Sequence, residues 1–141
     1  MRYMMIVTAA ETAPPPPPEL YAAIGEMSEE FVAKGVLLEN GGLLPSAQGA
    51  RIRLERGALA VVDGPFTEAK ELVGGFAILQ AGSKAEAIEL GRKFMQVHAD
   101  ILGPTAQMTL EIRAMVDPMA PEGCAAVYAD SATATAPASS H

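Results

Sequence analysis

The sequence is poor in aromatic residues, cysteine and positive charge. It contains no tryptophan among 141 residues, and aromatic side chains make up only 5% of the chain. Any core must therefore be filled by aliphatic side chains, methionine and alanine. A lone cysteine, Cys124, cannot form an intramolecular disulfide, which is consistent with a reducing compartment. Half of the residues are nevertheless hydrophobic, enough to form the core of one domain.

The shortage of basic residues bears on possible partners. Ten Lys and Arg stand against seventeen Asp and Glu, a formal net charge of -7. Proteins bind a phosphate backbone mainly through clustered Lys and Arg, so we expect no nucleic acid partner. The densest basic cluster, Arg51, Arg53 and Arg56, also contains Glu55, and this mixture is typical of a solvated strand face.

Long apolar segments and cofactor motifs are missing as well. The apolar run at residues 3–8 is too short for a signal peptide or a membrane span, so we expect a cytoplasmic protein with no membrane partner. The glycine pairs at 41–42 and 74–75 lack the spacing of a phosphate-binding loop, and no cofactor is expected. His98 and His141 have no second histidine or cysteine at ligand spacing, so no metal site is expected. We interpret His98 as an exposed side chain or a partner of a helix dipole.

Apolar periodicity predicts two helices. Leu20, Ile24, Met27 and Phe31 recur at helical spacing and predict a helix over residues 19–34. Ser83 followed by Glu86 forms a capping-box pattern that begins the second helix. The residues predicted for its buried face are Ile88, Gly91, Met95 and Ala99.

Strands are predicted around these helices. Short apolar or alternating runs occupy residues 3–8, 36–42, 51–55, 58–62, 75–80 and 108–115, and the third and fourth read as a hairpin. Five prolines at 14–18 predict a stiff exposed connector, with a partner-recognition motif as the alternative. Residues 118–141 are rich in Ala, Ser, Thr and Pro and are predicted to be a disordered tail behind a domain at 1–117.

This order of elements predicts an α+β fold of the ferredoxin-like type. Two strand–helix–strand units with a hairpin between them match the split βαβ plan, in which an antiparallel sheet carries both helices on one face. The other face of the sheet is then bare. We expect a homodimer that covers this face.

The stretch after the hairpin resembles a known family. Residues 63–71 read DGPFTEAKE and are followed by GGF at 74–76, a pattern similar to the signature of the DGPF proteins in the YCII-related family. Three further stretches agree with this family pattern, namely RYMM at 2–5, residues 35–37 at the end of the first helix, and Glu111-Ile112-Arg113. The resemblance covers residues 1–115 and implies a small ferredoxin-like protein that forms a dimeric α/β barrel.

The resemblance also bears on a site. YCII-like proteins are suspected of acting through a histidine on the first helix and a nearby aspartate, but the first helix predicted here contains no histidine. We therefore predict Asp63 and Arg113 as catalytic residues, with a carboxylate as general base and Lys70 or Arg113 holding an anionic or carbonyl oxygen. The residues predicted to bind a ligand beside them are Phe66, Glu68, Lys70 and Glu111.

Two functions remain open at this point. One is binding or transformation of a small polar or anionic metabolite at the DGPF segment. The other is a non-catalytic regulatory role, because proteins of this type are often encoded beside alternative sigma factors. The charged residues also have a purely structural interpretation, in which Asp63 fixes a turn and Glu68 and Lys70 form a surface ion pair.

Overall fold

The computed structural model describes residues 1–116. Its elements follow the predicted order, with two helices and six strands separated by short connections. The bounds are β1 Arg2–Ala9, α1 Pro18–Ala33, β2 Leu37–Gly42, a 3-10 turn Ser46–Gln48, β3 Ala50–Glu55, β4 Ala58–Asp63, β5 Leu72–Gln80, α2 Lys84–Leu102 and β6 Thr109–Ala114. The predictions for the tail at 118–141, Cys124 and His141 lie outside these residues.

Four strands form an open antiparallel sheet in the order β2-β5-β1-β6. Each helix crosses over one strand before the chain returns to the sheet, and the two helices pack on the same face. This confirms the predicted α+β fold, and the strand order matches the split βαβ plan. In the described part of the chain, none of the helices is long and apolar enough to cross a membrane.

The hairpin of β3 and β4 is a separate two-stranded sheet. Its tight turn consists of Arg56 and Gly57, both with positive φ, which suits the right-handed twist of a two-residue hairpin. One face of the hairpin is apolar and exposed, since its four large side chains have 69–72% of their surface open to solvent. These side chains are Ile52, Leu54, Leu59 and Val61.

Both helices begin and pack largely as their sequences predict. In α1, Leu20 and Phe31 are buried, and the positions between them at helical spacing are half-buried. At the start of α2, the Ser83 hydroxyl accepts a hydrogen bond from the Glu86 amide at 3.2 Å, and the Glu86 carboxylate accepts one from the Gly82 amide at 2.8 Å.

The buried face of α2 matches the prediction in part. Gly91 is buried and Met95 is half-buried, as predicted, but Ile88 and Ala99 are exposed, and Ala87, which was not predicted, is buried. The helix turns this way because Leu90 packs against two clusters of buried residues, one around Met5 and one around Tyr3, while Gly91 lets the helix lie close to the sheet. A Cβ atom at position 91 would lie 3.0 Å from methyl groups of Ile112 and Leu110.

The hydrophobic core lies mainly at the end of the sheet where β1 begins. Most of its buried hydrophobic residues are at this end, and Leu20 at the start of α1 is an exception. The members at this end are Tyr3, Met5, Phe31, Leu37, Leu79, Ala81 and Ala87. Toward the other end of the sheet, the facing side chains are mostly only half-buried, so the helices and the sheet are less closely packed there.

Candidate functional site

The DGPF segment begins at the end of β4 and packs against the 3-10 turn. The Gly64 amide donates a hydrogen bond to the Gly49 carbonyl at 2.9 Å. A Cβ atom on Gly64 would lie 1.6 Å from the Ser46 carbonyl oxygen, so any larger residue would force the two backbones apart. The motif therefore requires glycine at this position because two loops lie in close contact there.

Ser46 joins three segments of the chain. Its amide and its hydroxyl both donate to the carboxylate of Glu11 in the β1–α1 connection, the hydroxyl at 2.7 Å. The same hydroxyl accepts a hydrogen bond from the Phe66 amide at 3.0 Å. These hydrogen bonds from Ser46 lower the pKa of the Glu11 carboxyl. The DGPF segment is thereby tied to the β1–α1 connection.

Arg51 of β3 contacts two of the predicted ligand-binding residues. Its guanidinium carbon lies 4.0 Å from the centre of the Phe66 ring, and Nη1 lies 2.8 Å from the Glu68 carboxylate. Because the Glu68 side chain is 65% exposed, the ion pair is worth at most about 1 kcal/mol. Sequence reasoning missed Arg51 as a partner of this segment, because its mixed-charge strand predicted only a solvated face.

The other predicted site residues are dispersed. Glu111 and Arg113 lie 3.6 Å apart on the face of the sheet opposite the helices, where they pair in register with Ile6 and Met4. Asp63 is exposed at the end of β4. Within residues 1–116, neither Asp63 nor Lys70 is part of an ion pair shorter than 4.0 Å. The chain thus gathers Phe66 and Glu68 around Arg51 and leaves Arg113 apart from them.

A cavity of about 920 Å³ lies between the sheet and the two helices. It extends from the core residues Met5, Phe31, Leu37 and Leu79 to the end of the sheet where β1 and β2 end and β5 and β6 begin. Its volume lies within the range of roughly 300–1,000 Å³ that is usual for small-molecule sites. Exposed residues such as Pro15 and Gln107 contribute to the lining, so the cavity is open to solvent at this end.

The lining of the cavity is mostly apolar. The sheet contributes Val7 and Ala77, α1 contributes Ile24, and α2 contributes Phe94 and Ile101. Of the residues that the structure describes around the cavity, none is Asp, Glu, Lys or Arg. Such a lining is suited to an apolar molecule and offers few polar groups to orient it.

The proline run borders this cavity. Residues 14–17 line it and are mostly exposed, which confirms a connector on the surface and adds a position beside the cavity that the sequence did not predict. Glu11, which Ser46 holds, is flanked by Ala10 and Thr12, and both of these residues also line the cavity. The DGPF segment therefore supports the loop that forms part of the cavity wall.

His98 also lines the cavity, which the sequence interpretation did not foresee. It is half-buried, and its Nδ1 lies 2.9 Å from the Phe94 carbonyl oxygen. It occupies the helical face of Leu90 and Phe94, and that spacing in the sequence is the signal that could have placed it toward the sheet. Across residues 1–116, there is no group of three or more His, Cys, Asp and Glu side chains arranged to hold a metal ion.

Comparison with known proteins gives the family. The family model of the YCII-related domain matches residues 1–103, which is more than half of the chain. The chain belongs to the YCII-related domain family. An uncharacterised protein of Rhizobium meliloti (strain 1021) is 32% identical over 69 residues, which cover 49% of this chain and 56% of that protein. This YCII-related chain therefore spans little more than half the length of that relative.

Replacing Gly64 tests the structural role of the DGPF motif in this YCII-related chain. We expect Gly64→Ala to lower the free energy of unfolding by roughly 1–3 kcal/mol, because the new methyl group overlaps the Ser46 carbonyl. Gly42→Ala is the matched control, since a Cβ there meets no atom within 4 Å. Urea unfolding of both variants measures the difference, and equal effects would contradict the close contact.

The hydrogen bonds from Ser46 to Glu11 predict a pH dependence. A lowered pKa in the folded state means that the ionised Glu11 stabilises the protein above its ordinary value of 4.5 and loses this effect as pH falls through the lowered pKa. We expect Glu11→Gln to be less stable than wild type at neutral pH and to approach it in acid. The difference should become smaller in a Ser46→Ala background, which removes the hydroxyl donor and keeps the amide donor, and a difference of unchanged size there would contradict the assignment.

Proposed function

We propose that this YCII-related protein binds a small molecule in the cavity between its sheet and its helices. The observation that carries the proposal is the position of the cavity. It is large and mostly apolar, it reaches core residues such as Met5 and Leu79, and it opens at the end of the sheet that carries the DGPF segment. A domain that had only to be stable would gain by filling this space, because cavities in a core are destabilising.

The DGPF segment is proposed as a second contact, separate from the cavity, for a small polar or anionic group. Asp63 and Lys70 make no ion pair in the described chain and are available to a polar or anionic group. Hydrogen bonds from Phe66 to Ser46 and from Ser46 to Glu11 hold this segment against the loop beside the cavity. If Asp63→Asn and Lys70→Met bind small carboxylates and phosphates as wild type does in a thermal-shift screen, this part of the proposal fails and the cavity remains.

Binding at the cavity is tested with an uncharged fluorescent probe, N-phenyl-1-naphthylamine. We expect wild type to bind the probe and Val7→Phe to weaken binding by roughly tenfold, equivalent to about 1.4 kcal/mol, because the larger side chain fills the cavity. Thr8→Phe is the matched control, since Thr8 is the next residue of β1 and does not line the cavity. Equal binding by wild type and Val7→Phe, or an equal loss in both variants, would contradict the proposal.

A second candidate is a non-catalytic interaction protein, such as an accessory in sigma-factor-linked transcription control. The exposed apolar face of the β3–β4 hairpin favours this function, because contiguous apolar surface of this kind marks contact sites. Met4, Ile6 and Ile78 add apolar side chains on the bare face of the sheet. We propose that a second copy of the chain covers these surfaces, as in the dimeric barrel that the family resemblance implies.

The homodimer is tested by two lysine substitutions in one strand. Leu59→Lys places a charge on the apolar face of the hairpin, whereas Ala60→Lys places the same charge on the opposite face of β4. We expect sedimentation velocity to show a dimer for wild type and Ala60→Lys, and a shift to monomer for Leu59→Lys. A monomeric wild type, or identical behaviour of both variants, would overturn this arrangement.

A further inference from the structure

We propose that His98 is the residue that recognises the ligand of this cavity. The ligand is then a small, mostly apolar molecule with a single acidic O–H group, either a phenol or a carboxylic acid. This inference rests on the proposed function of the cavity and assigns the chemistry of the ligand and the side chain that selects it.

The hydrogen bond of His98 defines which ring nitrogen is available. Its Nδ1 lies 2.9 Å from the Phe94 carbonyl oxygen. A carbonyl oxygen can only accept, so Nδ1 must carry the proton of this hydrogen bond. In the neutral ring the lone pair is then on Nε2, and no residue in the described part of the chain makes a hydrogen bond to this nitrogen. The cavity is thus lined by a histidine with one free acceptor.

The ring is also held in place. The centres of the His98 and Phe94 rings lie 4.5 Å apart with their planes tilted by 51°, within the range of favourable aromatic contacts. Both residues belong to α2, one turn apart, and both line the cavity. A ring that is held by a backbone carbonyl and by a neighbouring ring is well suited to select a ligand by the direction of one hydrogen bond.

The absence of charge around His98 limits the ligand. No Asp, Glu, Lys or Arg belongs to the cavity lining among residues 1–116. A permanent cation would find no carboxylate there, and a molecule with two negative charges would find no pair of cations, so burying either would be unfavourable. A single acid proton shared with Nε2 avoids this cost. The O–H donates to Nε2 or, once the proton has moved, Nε2–H donates to the oxygen anion, and the pair is neutral in both forms.

Most of the remaining lining is apolar, and its polar members are uncharged, namely Thr12, Tyr21, Ser28, Asn40, Thr105 and Gln107. Ile24 of α1 and Ile101 of α2 flank the space, and Val7 and Ala77 form its floor. These side chains can contact a hydrocarbon chain or an aromatic ring, but they cannot hydrogen-bond to it. The acid group is therefore expected to meet His98 while the rest of the molecule fills the apolar space.

Two pairs of probes test this inference by isothermal titration calorimetry on the full chain. Octanoic acid is compared with methyl octanoate, and 4-butylphenol with 4-butylanisole, because in each second compound a methyl group replaces the acid proton. We expect wild type to bind at least one acid roughly tenfold or more tighter than its methylated partner. His98→Phe, which keeps an aromatic ring beside Phe94, should abolish that preference without weakening the methylated compound.

Controls separate the possible failures. Gln96→Ala changes an exposed residue of α2 outside the cavity and should retain the preference. Ring ¹⁵N NMR of wild-type His98 should show a proton on Nδ1 and a change at Nε2 only with the acid, a result that does not depend on the stability of any variant.

If acids and methylated compounds bind equally, the role of His98 is wrong while the cavity stands. If none of the four compounds binds, the proposed function fails as well. A preference confined to one pair supports the inference and identifies the acid class.

Discussion

The close packing of α2 on the sheet at Gly91 determines the shape of the rest of the domain. Because position 91 has no side chain, the helix approaches Met5 of β1 and Leu110 and Ile112 of β6, beside the buried core. From there α2 continues toward the other end of the sheet, where the side chains between helices and sheet are mostly half-buried. The closely packed end of the domain thus holds α2 on the sheet, and the cavity opens at the end where helices and sheet are less closely packed.

The DGPF segment contributes to the open end mainly through its uncharged residues. Gly64 allows contact with the Ser46 carbonyl, and the Phe66 amide and ring bind Ser46 and Arg51. Ser46 in turn holds Glu11 beside the cavity. The charged residues of the segment remain exposed, so the motif is explained in large part by how it fastens one loop to another. The uncharged residues of the motif thus have a structural role, whereas its charged residues have only a proposed role in binding a ligand.

Much of the fold could be predicted because its signals are local. The helical spacing from Leu20 to Phe31, the capping pattern at Ser83 and the alternation in β6 each depend on a few neighbouring residues, and all are present in the structure. The site was harder to predict. Arg51 meets Glu68 only because the hairpin folds back on its own exit loop, and this contact joins residues seventeen positions apart.

Two further features depended on tertiary packing. The prediction for the face of α2 was right at Gly91 and wrong at Ile88 and Ala99, because the periodicity allows two neighbouring faces and only contact with the sheet selects the one that buries Ala87. For the same reason His98 was interpreted as a residue of the helix end, whereas it lines the cavity. Ligand chemistry therefore has to be argued from the packed structure, since Asp63 and Arg113 were chosen by residue type and are not paired in the described chain.

The most direct measurement of the central claim is methyl NMR of the protein under xenon pressure, since apolar cavities bind this gas. The methyl groups of Val7, Ile24 and Ile101, which line the cavity, should shift together and saturate. Those of Ile52 and Ile78, on the hairpin and on the bare face of the sheet, should not. Shifts of similar size at all five residues, or none at the first three, would show that the space between helices and sheet is not an accessible binding cavity.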